Sequence, residues 1–316
     1  MSRKVTTRLR QLLKRRQLVV MPGGFSPLHA RMSEVIGYEA FFMSGSQVCA
    51  YLYGYPDVGL LGLSEMADAV RRITNVTSLP IFADADTGYG NAVNVYHTVQ
   101  AYIRAGAAGL HIEDQEAPKK SGTLAGRRLI SRQEAVGKYK AAVAAKQELD
   151  ADFVVCARCD SIGSAGGSFE DAVERSIAYV EEAGVDAIWV NTLTKREEIA
   201  EACRRISAPV IAPYYGPRPS PTFEEFQQLG AAAVLYPSLT TANGLQATWE
   251  LLHDFKKRGP AVLEEWNKRA QASAYGMVPR TQEPILPAKK IRDLEEEFIP
   301  KVLQRDYAHT FGHNRH

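Results

Sequence analysis

Short apolar runs and longer amphipathic segments alternate along most of this chain. The runs read QLVVMPG from Gln17, AFFMSG from Ala40, LPIFADAD from Leu79 and GLHIED from Gly109. They continue as DFVVCARCD from Asp152, AIWVN from Ala187, APVIAPY from Ala208 and AAVLYPS from Ala232. Runs of this kind predict strands. Between them, SEMADAVRRI from Ser64, NVYHTVQAYIRAG from Asn94, SFEDAVERSIAYVEEAG from Ser168 and TKREEIAEACRRI from Thr194 carry helical spacing. Strand-then-helix order, repeated, means parallel strands joined by helical crossovers. Eight such units fit a closed (β/α)8 TIM-type barrel over residues 17–245 better than a doubly wound open sheet. AGAAG, AGVDA and LGAAA precede strands four, six and eight, where small residues suit tight helix-to-strand turns. A dinucleotide fingerprint is absent, because GYG at Gly88–Gly90 lacks a third glycine.

Beyond residue 246 the pattern changes to TWELLHDFKKRG, VLEEWNKRA and KKIRDLEEEFIPKVL, with Pro279, Pro284 and Pro287 between the last two. The chain therefore reads as one domain, a barrel with a C-terminal helical extension over residues 246–316. An extension bearing Leu251, Leu252, Phe255 and Trp266 must cover something, on its own barrel or on a neighbour's. At the other end, the first 33 residues hold several basic groups and no acidic one, a bias that imitates a transit peptide. Leu9, Leu12 and Leu13 share one side of a helix, which suits a leading helix packed on the barrel. That reading, with no apolar run long enough to span a bilayer, predicts a cytoplasmic protein.

Composition narrows the function classes. With 316 residues and 45% hydrophobic content, the chain can bury a large core. A net charge of +2 gives no reason to invoke nucleic acid or a membrane surface as partner. Four cysteines are too few for a disulfide scaffold. Cys156 and Cys159 look like a metal or redox pair, but an offset of three on a strand sends them to opposite faces.

In barrels of this type the active site lies at the C-terminal ends of the strands. Strand three ends in Asp84-Ala85-Asp86, and a period of two puts both carboxylates on one face. Strand four ends in Glu113-Asp114, with His111 and Glu113 on one face. Strand five brings Arg158 and Asp160 together, and Asp57 follows strand two. Carboxylates converging there would repel each other without a cation. An all-oxygen set suits Mg²⁺, or Mn²⁺, rather than zinc. Arg158 supplies a planar fork for a substrate carboxylate. Ser44, Gly45 and Ser46 offer hydroxyl and backbone donors to the same group. A divalent ion chelated by a 2-oxo acid stabilises an enolate, so cleavage next to the carbonyl becomes feasible. A lone Asp ending a strand is as often the cap of the next helix. The whole set at the right strand ends argues against capping.

MSGSQVCAYLYGYPDVG, ADADTGYGN, GLHIEDQ, PKKSG and ARCD resemble, in order and spacing, motifs of the isocitrate lyase and phosphoenolpyruvate mutase superfamily. The resemblance runs from Val19 to Pro237. It implies Mg²⁺ held by Asp84, with Asp57, Asp86 and Glu113 contributing through water. It also implies Ser44, Gly45, Ser46 and Arg158 as contacts to a 2-oxo acid, and a homotetramer that exchanges a C-terminal helix between neighbours.

The departures bear on subclass. The superfamily's lyases carry a mobile K-[KR]-C-G-H loop whose Cys acts as acid or base. Here that loop reads Lys119-Lys120-Ser121-Gly122-Thr123, and a serine hydroxyl is far less acidic than a thiol. Where the lyases place a Glu after strand six, this chain has Asn191. Where they have an Asn after strand seven, it has Pro213-Tyr214-Tyr215. The phosphonate branch's loop and its His after strand six are also missing.

The leading reading is a lyase splitting a C–C bond of a small 2-oxo or 2-hydroxy di- or tricarboxylic acid, decarboxylation included. Lys120 and Ser121 would orient substrate or water when the loop closes, and Asn191 and Tyr214 are candidate substrate contacts. A second reading is phosphorus–carbon bond chemistry, with Asn191, Tyr214 and Tyr215 positioning the phosphoryl group. A third is a catalytically silent ligand-binding relative, against which the intact set of Asp57, Asp84, Asp86, Glu113 and Arg158 stands.

Overall fold

A computed structural model of the chain describes residues 4–213, 215–275, 285–307 and 309–310. Eight parallel strands form a closed barrel in chain order. They are β1 (Val19–Gly24), β2 (Phe41–Met43), β3 (Ile81–Asp84), β4 (Gly109–Glu113), β5 (Val154–Cys159), β6 (Ala187–Val190), β7 (Val210–Pro213) and β8 (Ala233–Tyr236). Closure is made by β1 against β8, in register from Val19 and Ala233 to Pro22 and Tyr236. Helix α1 (Val5–Lys14) precedes the barrel. The connections carry α2 (Pro27–Ile36), α3 (Gly45–Val48), α4 (Leu63–Thr74), α5 (Ala92–Arg104), α6 (Arg132–Leu149), α7 (Phe169–Glu181), α8 (Arg196–Arg205) and α9 (Phe223–Gln228). All eight apolar runs read from the sequence are strands.

Period two along each strand divides the core in two. One apolar cluster lies between the strands and the surrounding helices and includes Ile81, Leu110, Val155, Ile188 and Val234. The other fills the barrel with Val19, Met21, Phe42, Phe82, Val154, Cys156, Trp189 and Leu235. Cys159 belongs to the first cluster and Cys156 to the second, so the two thiols do face opposite ways.

Helix α1 lies against the strand starts. Leu9 and Leu13 are buried and join the interior cluster beside Val19, Ala108 and Val154. Burying a leucine in this way contributes about 2 kcal/mol. A polar rim holds the helix there. Arg10 pairs with Asp186 at 2.7 Å and donates to the Ala151 carbonyl at 3.1 Å, while Lys146 meets Asp186 from α6 at 2.5 Å. The basic leader is thus a packed helix whose apolar side seals the end of the barrel opposite the strand C-termini.

Contacts divide the chain into a unit of residues 1–247 and a second of residues 248–316. The second contains most of α10 (Ala242–Arg258), together with α11 (Ala261–Ala272) and α12 (Ala288–Phe298). Val262 of α11 is buried, whereas Trp249, Leu252, Ile291 and Phe298 are exposed. Among the described residues, no helix is long and apolar enough to cross a membrane.

Candidate active site

Strand register brings the polar strand ends together. Asp84 of β3 pairs with His111 of β4, Glu113 of β4 with Arg158 of β5, and Arg158 with Trp189 of β6. They form two successive rows, Asp84 with His111 and, two residues further along β4, Glu113 with Arg158 and Trp189. None of the carboxylates serves as a helix cap, since α5 and α7 are capped by Asn91 and Ser168.

The acidic side of the mouth gathers around Lys119. Its Nζ lies 2.5 Å from Asp57 Oδ1 and 2.8 Å from Asp86 Oδ1. Burial alone would lower the pKa of this ammonium, but Asp86, Glu113, Asp84 and Asp57 outweigh it and hold it well above the ordinary lysine value. Asp86 leaves the strand, with a φ of 45°, and burial pushes its carboxyl up to about 6 despite Lys119. Burial acts on Asp84 too, yet His111, Lys119 and Arg158 hold it below the usual carboxylate range. Asp84 also accepts the Gly45 and Asp86 amides, at 3.1 Å and 3.0 Å. Beneath it, His111 is fully buried among Phe42, Phe82 and Trp189, and desolvation pushes its ring down to about 4.

The β3–α5 turn that carries Asp86 is pinned from behind. Tyr102 donates to the Asp84 carbonyl at 2.8 Å, Thr98 to that of Gly88 at 3.1 Å, and Lys138 to that of Thr87. Held so, the carboxylates cannot relax apart, which raises their demand for a cation.

The same donors bear on a divalent ion. Asp57 Oδ1 and Asp86 Oδ1 are both engaged by the Lys119 ammonium, and Glu113 has Arg158 as its ion-pair partner at 3.1 Å. Among the described residues, no three His, Cys, Asp or Glu groups close in as a ready direct ligand set. In donor chemistry alone, hard carboxylate oxygens suit Mg²⁺, which retains much of its water and takes few direct carboxylates, rather than zinc.

Arg158 faces the acids from the opposite side. Its Nη1 meets Glu113 at 3.1 Å and its Nε meets Asp160 at 3.0 Å, and the guanidinium lies over the Trp189 ring at 4.7 Å. Asp160 in turn takes its backbone orientation from Asp114, whose carboxylate accepts the Asp160 amide at 2.8 Å.

Residues 115–131 form a strap that returns over the mouth. Gln115 bridges to Leu129, and its side chain clamps both the amide and the carbonyl of Lys120 at 3.0 Å. Ser121 donates its amide to the Asp57 carbonyl at 3.1 Å. Beneath the strap lies a cavity of about 270 Å³, with Ser44, Ser46, Gln47, Asp57, Asp84 and Arg158 in its wall. Ser121, Gly122, Thr123, Trp189, Tyr215 and Ser238 complete much of the remainder.

The sequence-derived candidates divide accordingly. Ser44, Ser46, Asp57, Asp84, Ser121 and Arg158 line the cavity, whereas Asp86, Glu113 and Gly45 lie behind its surface. Asn191 is fully buried beyond the wall, accepting from Tyr215 and donating to Asp160. Of the paired lysines, Lys119 enters the acid cluster, while the backbone of Lys120 is clamped by Gln115. Tyr214 lies outside the described residues. Tyr53 and Tyr55 are exposed, and Tyr53 ends a short π-helical turn over Cys49–Tyr53. Sequence reasoning missed Lys119 because adjacent lysines on a loop carry no periodicity to say which turns inward. It missed Gln47 and Ser238 because neither belongs to a charged pattern.

Comparisons with known proteins give the family and the fold. The family model described as phosphoenolpyruvate phosphomutase matches residues 9–255. A 2-methylisocitrate lyase of Aeropyrum pernix is 42% identical over 253 residues, covering 79% of this chain and 80% of the relative. A solved structure of oxaloacetate acetylhydrolase with 3,3-difluorooxalacetate superposes with a TM-score of 0.83 at 29% identity, covering 93% of this chain and 97% of that one. A phosphonopyruvate hydrolase solved with oxalate and Mg²⁺ gives a TM-score of 0.79 at 28% identity, covering 94% of this chain and all of that one.

Proposed function

Because this chain belongs to the phosphoenolpyruvate phosphomutase family, which includes the isocitrate lyase-type enzymes, we propose that it is a Mg²⁺-dependent carbon–carbon lyase. Its substrate is a small 2-oxo or 2-hydroxy carboxylic acid, and decarboxylation falls within the same chemistry. One observation carries the reading: a single cavity has Arg158 on one side, Asp57 and Asp84 on the other, and the Ser121 strap as its lid.

Asp57, Asp84, Asp86 and Glu113 would hold the metal, mostly through water, with Mn²⁺ as a substitute. Bound there, the ion polarises the substrate's carbonyl as a Lewis acid. That a phosphonopyruvate hydrolase of the same fold was solved with oxalate and Mg²⁺ supports a divalent metal here. The chain's own groups do the rest. Arg158 pairs its fork with the substrate carboxylate, and the Ser44 and Ser46 hydroxyls, 3.1 Å apart, bond to the same end. In a 2-oxo acid that loses CO2, the bond to the departing carboxylate breaks and its electron pair enters the 2-oxo unit as an enolate. In a 2-hydroxy acid, the hydroxyl gives its proton to a carboxylate of the site as the C–C bond breaks, and the pair passes to the departing carboxylic acid fragment as its enolate. Lys119 keeps positive charge near that unit. Ser121 and Thr123, their hydroxyls 3.2 Å apart, can orient a water that delivers the proton, a task a serine hydroxyl performs poorly as an acid itself. The strap excludes bulk water.

The exposed apolar side chains of α10 and α12 support a homotetramer in which the C-terminal helices cover a neighbour. The leading helix packed on the barrel supports a cytoplasmic setting, and near-neutral charge supports the absence of nucleic-acid or membrane partners.

The test is a ¹H NMR survey with Mg²⁺ over oxaloacetate, 2-methylisocitrate, 2,3-dimethylmalate and phosphonopyruvate, with Asp84→Ala as control. Metal-dependent loss of a carboxylic acid signal, absent in the variant, is expected. Turnover of phosphonopyruvate alone would overturn the carbon–carbon assignment.

A further inference from the structure

Arg127, on the returning limb of the strap, is 4% exposed and reaches the segments that follow two strands. Its Nη1 donates to Asp160 Oδ1 at 3.0 Å and to Thr192 Oγ1 at 3.2 Å, and its Nη2 donates to the Ile162 carbonyl at 2.9 Å. Its own carbonyl accepts the Ala165 amide at 3.2 Å. The strap is therefore fastened to the ends of β5 and β6 through a single side chain. Thr192 holds a φ of 64°, a backbone state that a β-branched residue keeps only where its surroundings impose it.

Asp160 is the shared partner. Its Oδ1 receives Arg127 Nη1, Arg158 Nη2 at 3.1 Å and Asn191 Nδ2, while its Oδ2 faces Arg158 Nε at 3.0 Å. Three donors crowd the two lone pairs of Oδ1 while Arg158 Nε holds Oδ2, so the carboxylate's rotation is set by partners from three directions. Arg127 Nε is buried without a hydrogen-bond partner. An unmet buried donor is costly, so the guanidinium is oriented by its other contacts and not by its own best solvation.

We infer that Arg127 is a positioning residue: by holding Asp160 it fixes the angle at which Arg158 presents its fork to the cavity, and it couples that angle to the seating of the strap. The inference rests on Arg158 as the carboxylate clamp of the proposed function. It assigns Arg127 no contact with substrate.

Oxalate binding in saturating Mg²⁺, measured calorimetrically, tests it without needing turnover. Wild type, Arg158→Ala, Arg127→Ala and Arg127→Lys are compared, with circular dichroism checking the fold. Arg127→Ala should weaken oxalate about tenfold, and Arg127→Lys, which keeps the charge but lacks the fork, about threefold. Guanidinium ion added to Arg127→Ala should restore binding where ammonium does not. Wild-type affinity in folded Arg127→Ala overturns the inference; should that variant not fold, wild-type affinity in Arg127→Lys does so. If wild type ignores oxalate, or Arg158→Ala binds it unchanged, the clamp itself falls and the inference with it.

Discussion

Lys119 Nζ sits 2.8 Å from Asp86 Oδ1, with the lysine only 3% exposed. The ammonium thus neutralises the acid cluster from the strap, on the side where a divalent ion would do the same. Removing one partner of a buried pair costs about 3–5 kcal/mol, because a charge is left uncompensated. Lys119→Met should therefore lower the melting temperature in EDTA, and Mg²⁺ should recover much of the loss. The wild type should respond less. Melts of both proteins with EDTA and with Mg²⁺ decide it, and an identical Mg²⁺ response would separate Lys119 from the metal site.

Gly122 is pressed against the clamp. A Cβ built there would lie 2.6 Å from Arg158 Nη2 and 2.7 Å from Asn191 Nδ2. Gly122→Ala should keep the strap from seating and lower turnover about 100-fold. Stability should change by no more than about 1 kcal/mol, because the position is not in the core. Steady-state rates set beside thermal melts check this, and full activity would show that the strap does not need this seat.

Ser121 occupies the position where the family's lyases have a thiol. If water supplies the proton, Ser121→Ala should alter the rate on the natural substrate less than about tenfold. Ser121→Cys should not install 2-methylisocitrate cleavage, since Thr123 stands where those loops carry a His. A loss beyond 1000-fold in Ser121→Ala, measured by NMR, would make the hydroxyl itself the acid.

His111 gives a pH signature. The unfolded ring protonates near pH 6.5, whereas burial holds the folded one neutral down to about 4. Above pH 6.5 the group adds no pH dependence. Between 6.5 and 4 the unfolded state binds the extra proton, so stability falls as pH falls. His111→Phe should remove this component, gaining on the wild type by about 2 kcal/mol between pH 7.5 and pH 5. Urea denaturation at the two values measures the gap, and parallel losses would count against a neutral buried ring.

The eight strands and their order were legible because short apolar runs and helical spacing are local properties. So were Asp84, Glu113 and Arg158, since a closed parallel barrel brings every strand's C-terminal end to one rim. The leading helix was readable from Leu9 and Leu13. The strap was not. Its path depends on contacts across 30 or more positions, such as Arg127 to Asp160 and Ser121 to Asp57, which leave no periodic mark.

What the chain determined by itself was therefore a set of strand ends and the residue types placed on them. The choice between Lys119 and Lys120, the withdrawal of Asn191 behind the wall and the role of Arg127 were decided only in three dimensions. The physical reason is electrostatic. A buried charge takes the partner that folding brings within about 3 Å, and sequence spacing does not encode which partner that is.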